Sequence, residues 1–140
     1  FGDTWKVINM PSKSILSNTM EMRRREGEVG YSTNGEKPLK WLINHNVVMD
    51  KVLIFTDCQF WNTDWDNYAQ KFSKTWLDYK KIAPDAKLYL FDLAGYGHSA
   101  LSIEQNDVYC IAGWSDRIFD ILDAFNCGKD AIAVINEIEL

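Results

Sequence analysis

Four short polar clusters in this sequence are of the right type to do chemistry. Asp57 follows the apolar run Lys51-Val52-Leu53-Ile54-Phe55-Thr56, and Asp92 closes a second such run ahead of the loop Gly95-Tyr96-Gly97-His98. A third run ends in Gly113-Trp114-Ser115-Asp116, and Ser32-Thr33-Asn34 stand just before a helical period. Carboxylate and hydroxyl oxygens, with no histidine or thiolate cluster among them, suit a hard cation such as Mg²⁺ held partly through water. An aspartate after a strand also serves simply as a turn former or helix cap. The residues alone leave both readings open.

Other reactive side chains carry plainer alternatives. Cys58, beside Asp57, and His98, in the loop after the next strand, have the types of a thiol nucleophile and its base. No third group stands at a spacing that would orient them. His45 falls near a helix C-terminus, where an imidazolium interacts favourably with the helix dipole. Cys110 lies inside an apolar strand and is expected in the core. Trp61, Trp65, Tyr68 and Trp76 include aromatic faces on which RNA bases could stack. Their helical spacing assigns most of them to a core instead, leaving Trp61 and Trp114, in strand-end loops, as the exposed candidates. Arg23-Arg24-Arg25 reads as a solvated helix end that could also touch phosphate.

These groups need elements to carry them. Trp5-Lys6-Val7-Ile8 reads as a short strand closed by Asn9 and Pro11. Ser12 then stands as an N-cap for a helix with Ile15, Leu16, Thr19 and Met20 on one face, ending near Arg25 and Gly27. After a loop from Gly30 to Gly35, Pro38 suits the first turn of a second helix bearing Leu39, Leu42 and Ile43. The run 51–56 is a strand whose unbroken apolar character predicts burial on both faces. Asp64 caps a long helix in which Trp65, Tyr68, Ala69, Phe72, Trp76 and Tyr79 repeat at helical spacing, ended by Pro84-Asp85. Lys87 to Phe91 and Val108 to Ala112 are further strands. Ser115 and Asp116 open a helix with Ile118, Ile121, Leu122 and Phe125, and the tail 129–140 is expected to be helical. Strand and helix in alternation predict an α/β domain with a mostly parallel sheet and helices on both faces. Ligands in such sheets sit beyond the carboxyl ends of the strands.

Composition excludes several classes. The 140 residues are 46% hydrophobic and 14% aromatic, enough for one folded domain with a real core. A net charge of −5 argues against the chain itself being a nucleic-acid groove. Three cysteines, Cys58, Cys110 and Cys127, cannot all pair within one chain, which fits a reducing cytoplasm. No run approaches a membrane span and no signal peptide is visible. The chain opens on Phe1, as a fragment or processed product does.

Several segments, taken in order, resemble the von Willebrand factor A-like domain of the Ro autoantigen (TROVE) family of RNA-binding proteins. Gly30-Tyr31-Ser32-Thr33-Asn34 with Pro38 is similar to that family's Gly-Gly-Thr-Asp loop. Residues Val52 to Trp61 resemble its strand and third metal loop, Tyr79 to Leu88 its next helix-to-strand passage, and Asn106 to Asp116 its penultimate segment. The resemblance implies a three-layer, Rossmann-like von Willebrand A-type domain over 1–140. It also implies a metal-ion-dependent adhesion site for Mg²⁺ or another divalent cation, with Thr33 and Asp57 as ligands. The family's other ligands come from an Asp-x-Ser-x-Ser motif after the first strand, which this sequence lacks, so the domain is expected to be N-terminally truncated with its first strand absent. Phe1-Gly2-Asp3-Thr4-Trp5 resembles the family's second strand. The missing strand is central in the family fold, and its absence should expose its neighbours and their edges. It would lie upstream or come from another chain.

The function so implied is that of a non-enzymatic interaction module in a cytoplasmic Ro-like ribonucleoprotein. Small noncoding or misfolded RNA would bind through another domain of the parent protein, with a protein partner possible at the metal-site rim. The alternative is a von Willebrand A-type protein–protein domain with no RNA role, and no membrane is involved in either.

Overall fold

A computed structural model of the chain describes residues 1–10, 14–57, 65–95, 107–115 and 117–126, with backbone alone for 65–70, 121, 125 and 126. The elements in chain order are α1 (Ile15–Arg24), α2 (Glu36–Asn44), β1 (Lys51–Thr56), α3 (Trp65–Lys80), β2 (Lys87–Asp92), β3 (Val108–Ala112) and α4 (Ile118–Asn126). The strands form an open parallel sheet in the order β1-β2-β3. Helices lie on both faces, so the architecture is α/β.

Alternation along the strands divides the core in two. Ile54, Leu88, Leu90 and Val108 turn toward one face, where Phe72, Trp76 and Tyr79 of α3 and Leu39 of α2 close over them. Tyr89 and Phe91 turn to the other face and are covered by Ile118 and Leu122 of α4, with Tyr109 and Ile111 packed alongside. Parallel strands are normally covered on both sides, because their crossovers carry helices. Only the middle strand meets that condition here: Leu88, Tyr89, Leu90, Phe91 and Asp92 are all buried. Among the described residues β1 is an edge strand, and the expected burial of both its faces fails at Leu53 and Phe55, which are 39% and 44% exposed.

Two further expectations, a strand at 5–8 and a buried Cys110, are corrected. Residues 5–8 form no strand: Val7 is exposed, Lys6 pairs with Glu28, and Trp5 packs against Trp41 of α2 with ring centroids 5.4 Å apart. An isolated β-prone tetrapeptide without a ladder partner has only side-chain contacts to hold it. Cys110 is exposed and not in the core, since among the described residues β3 is the opposite edge strand and the buried cluster under α3 takes in Val108 but stops short of it. α1 buries nothing. Ile15, Leu16 and Met20 do share a helical stripe, yet all three are exposed.

α1 starts at Ile15 with Ser14 as its N-cap, the Ser14 hydroxyl accepting from the Ser17 N–H at 3.4 Å; Ser12 lies outside the described residues. Two of the three arginines at its C-terminal end are ion-paired. Arg24 and Arg25 both bind Glu21, and Arg25 also binds Glu28. Hydrogen bonds from Arg25 and Arg24 hold the Glu21 carboxyl below the usual carboxylate range, and those from Lys6 and Arg25 do the same for Glu28. His45 caps α2 as expected at its C-terminus, with its ring stacked on Trp41 at 4.3 Å and Nδ1 2.9 Å from the Trp41 carbonyl. Asp64, Cys127 and the tail 129–140 lie outside the described residues.

Tyr79 ties α3 to the chain entering β1. Its fully buried phenol accepts from the Met49 N–H at 2.9 Å and donates to the Val47 carbonyl at 3.2 Å. Tyr79→Phe keeps the ring packing and strands both backbone groups, so it should cost about 1–3 kcal/mol. Urea denaturation should show this as a lower midpoint with an unchanged slope.

Candidate functional site

Because the three strands are parallel, their carboxyl ends share one rim, and the strand register sets its levels. Thr56 pairs with Asp92 and Asp92 with Ala112. The ladder continues one step into the loops: the Leu93 N–H donates to the Thr56 carbonyl and the Gly113 N–H to the Asp92 carbonyl, each at 2.8 Å. Asp57, Leu93 and Gly113 therefore leave the sheet at the same height.

The two strand-end aspartates have different environments. Asp92 is buried, and its Oδ1 accepts from the Ala94 N–H at 3.1 Å and the Gly95 N–H at 2.9 Å. Gly95 has φ +68°, a left-handed conformation that suits glycine and turns its N–H back to the carboxylate. Asp92 is thus a turn former, as the alternative reading of such residues allows. Asp57 follows the buried Thr56 and is exposed at the rim.

Thr33 belongs to the loop before α2. The loop before α2 is fastened to the first residues of the chain. The Asn34 amide donates to the Gly2 carbonyl at 2.9 Å, the Ser32 hydroxyl donates to Asp3, and Lys37 reaches the Asp3 carbonyl. Gly30, at φ +78°, brings its backbone against Asp3 so closely that a Cβ there would collide with the carboxylate. Ser32 and Asn34, two of the oxygen-bearing candidates, are therefore engaged in anchoring the N-terminal segment. Half-buried Thr33 lies between them. No described interaction joins Thr33 to Asp57. Among the described residues no group of three or more Asp, Glu, His or Cys is placed to hold a metal ion. The oxygen donors fit a hard cation in kind, and their number does not complete a shell.

Beside Asp57 lies an aromatic cluster that begins on the exposed side of β1. Phe55 stacks on Phe91 with centroids 4.6 Å apart, and Trp114 packs against both at 5.5 and 5.7 Å. Phe119, at the start of α4, meets Trp114 edge-on at 6.2 Å. Trp114 and Phe119 are 56% and 60% exposed, so with Phe55 they form an open aromatic surface against the rim. The exposure expected of Trp114 is observed. Phe55 joins it because no described strand covers its edge of the sheet. Cys58, Trp61, His98 and Asp116 lie outside the described residues, as do the side chains of Trp65 and Tyr68.

Comparison with protein-family models and with curated proteins returns no match. Among the described residues no helix is long and apolar enough to cross a membrane.

The turn-forming role of Asp92 has a measurable consequence. Asp92→Ala removes the acceptor for two loop N–H groups at a buried position and should cost about 1–3 kcal/mol. Asp92→Asn, which keeps an acceptor oxygen, should cost clearly less. Guanidinium unfolding of the two variants side by side checks the order.

Proposed function

We propose that this chain is a von Willebrand A-like interaction module of a cytoplasmic Ro-like ribonucleoprotein, acting by binding and not by catalysis. The observation that carries the reading is the exposed Asp57 at the carboxyl end of a parallel strand, in the position where the resembled family places its third metal loop. The ordered similarity of segments from Gly30 to Asp116 supports it. Mg²⁺ or another divalent cation is the cofactor proposed, with Asp57 and Thr33 as this chain's contribution. An Asp-x-Ser-x-Ser segment or an acidic side chain of a partner would supply the remaining oxygens. RNA, in this reading, is held by another domain of the parent protein, which accords with the net charge of −5.

A ligand set this small binds weakly. Mg²⁺ titrated into the chain and followed by amide NMR should perturb residues near Asp57 and Thr33 with a Kd of roughly 10⁻³ M or weaker. Asp57→Ala should abolish the response. Perturbations that are centred elsewhere, or that survive in Asp57→Ala, overturn the metal assignment.

The second reading, a protein–protein domain with no RNA role, is favoured by the Phe55, Trp114 and Phe119 surface beside Asp57. Aromatic residues of this kind are enriched in protein interfaces. The RNA reading expects structured small RNA to bind the isolated chain weakly, with a shallow salt dependence, and the parent protein tightly. Filter binding across a salt series measures both, and tight, salt-sensitive binding by the isolated chain contradicts the proposed division of labour.

A further inference from the structure

The loop before α2 carries a dipeptide able to modify itself. Ten asparagines occur in the chain, and Asn34 is the only one followed by glycine. Glycine has no Cβ to shield its backbone nitrogen, and an asparagine side chain readily reaches the backbone beside it. Asn34 is half-buried and precedes Gly35, the N-cap of α2, so no helical ladder locks its own dihedrals. Its carboxamide has a structural task, because Nδ2 donates to the Gly2 carbonyl at 2.9 Å. We propose that Asn34 is a deamidation site, and that its conversion unfastens residues 2–4 from the loop at 29–34. The reaction balances with water alone. The Gly35 backbone nitrogen gives its proton to solvent and bonds to Asn34 Cγ, the Cγ–Nδ2 bond breaks, and ammonia leaves with a proton taken from solvent. Water then opens the resulting succinimide at one of the two bonds to the Gly35 nitrogen. Breaking the bond to Cγ leaves aspartate. Breaking the bond to the main-chain carbonyl carbon leaves isoaspartate, whose backbone runs through the former side chain and is one methylene longer. Nothing is oxidised or reduced.

Either product takes away the donor on which the Gly2 carbonyl relies. Gly2 is buried, and the carbonyls of Val29 and Gly30 lie so close that a Cβ on it would collide with them. A carboxylate at position 34 sets an acceptor against the Gly2 carbonyl. It also adds negative charge to a loop that already holds the Asp3 carboxylate on the Ser32 hydroxyl. Isoaspartate further lengthens the backbone between Thr33 and α2, which shifts one relative to the other. The Thr4 N–H donates to the Val29 carbonyl at 3.0 Å, so its exchange with solvent reports whether the segment is still fastened.

Incubation of the 140-residue chain in warm, mildly alkaline buffer, followed by peptide mapping and amide exchange, tests both halves of the inference. Asn34 should convert ahead of the other nine asparagines, to a mixture of aspartate and isoaspartate. Exchange at Thr4 should rise about tenfold in the converted chain, the effect of one lost hydrogen bond. Asn34→Asp, which installs the aspartate product directly, should show the same rise without incubation. Gly35→Ala should slow conversion at Asn34 alone, since alanine is unstrained at φ −62° and ψ −18° and its Cβ shields the attacking nitrogen. Should that variant fail to fold, the other nine asparagines of the unsubstituted chain remain the reference. Conversion of Asn34 no faster than theirs, or undiminished in a folded Gly35→Ala chain, overturns the site. Unchanged Thr4 exchange in Asn34→Asp overturns the unfastening. No step involves a cation, so the outcome is separate from that of the metal reading.

Discussion

The structure depends on the complete burial of β2. Leu88 and Leu90 point to one side of the sheet, Tyr89 and Phe91 to the other, and all four are inaccessible to solvent or nearly so. A strand apolar on both faces cannot be satisfied by one helix. It requires α3, which brings Phe72, Trp76 and Tyr79, and α4, which brings Ile118 and Leu122. α3 lies in the crossover from β1 to β2, and α4 follows β3. The layering follows from that one sequence run.

The same constraint shapes the rim. Parallel strands end together, so the residues that follow them compete for one edge, and small differences in turn chemistry decide their roles. After β2 the chain turns back through Gly95, whose left-handed backbone lets Asp92 collect two N–H groups and become part of the scaffold. After β1 the chain leaves Asp57 at the surface. Two aspartates one residue apart in strand register thus take different positions, Asp92 buried in its turn and Asp57 exposed.

Much of this was legible from residue pattern, and the failures share a cause. β1, β2, β3 and the core stripe of α3 were readable because periodicity reports which side of an element is apolar. Periodicity does not say what lies opposite. Ile15, Leu16 and Met20 make a sound amphipathic stripe that no described element covers, and Cys110 lies in an apolar strand at an edge the α3 cluster does not reach. Leu53 and Phe55 follow the pattern of a doubly buried strand yet stand at an edge. Trp5 to Ile8 has strand-forming residues, but the bonds that fix the N-terminal segment run through Gly2, Asp3, Ser32, Asn34 and Lys37, a network of polar side chains and loop backbone with no periodic signature. Of the candidate site, Asp57 at a strand end was legible from the break in hydropathy. The aromatic surface beside it was not, because its members come from three separate segments.

Sheet completion and ligand completion meet at Asp57. In the proposed reading the absent strand carries the remaining oxygen ligands, so one element would finish both the sheet and the metal shell. Asp57 stands where the two needs coincide, since it leaves the sheet at the end of β1, whose outer edge no described strand covers. A strand paired along that edge would cover the exposed Leu53 and Phe55 and, by the same backbone pairing, bring the residues at its end to the rim beside Asp57.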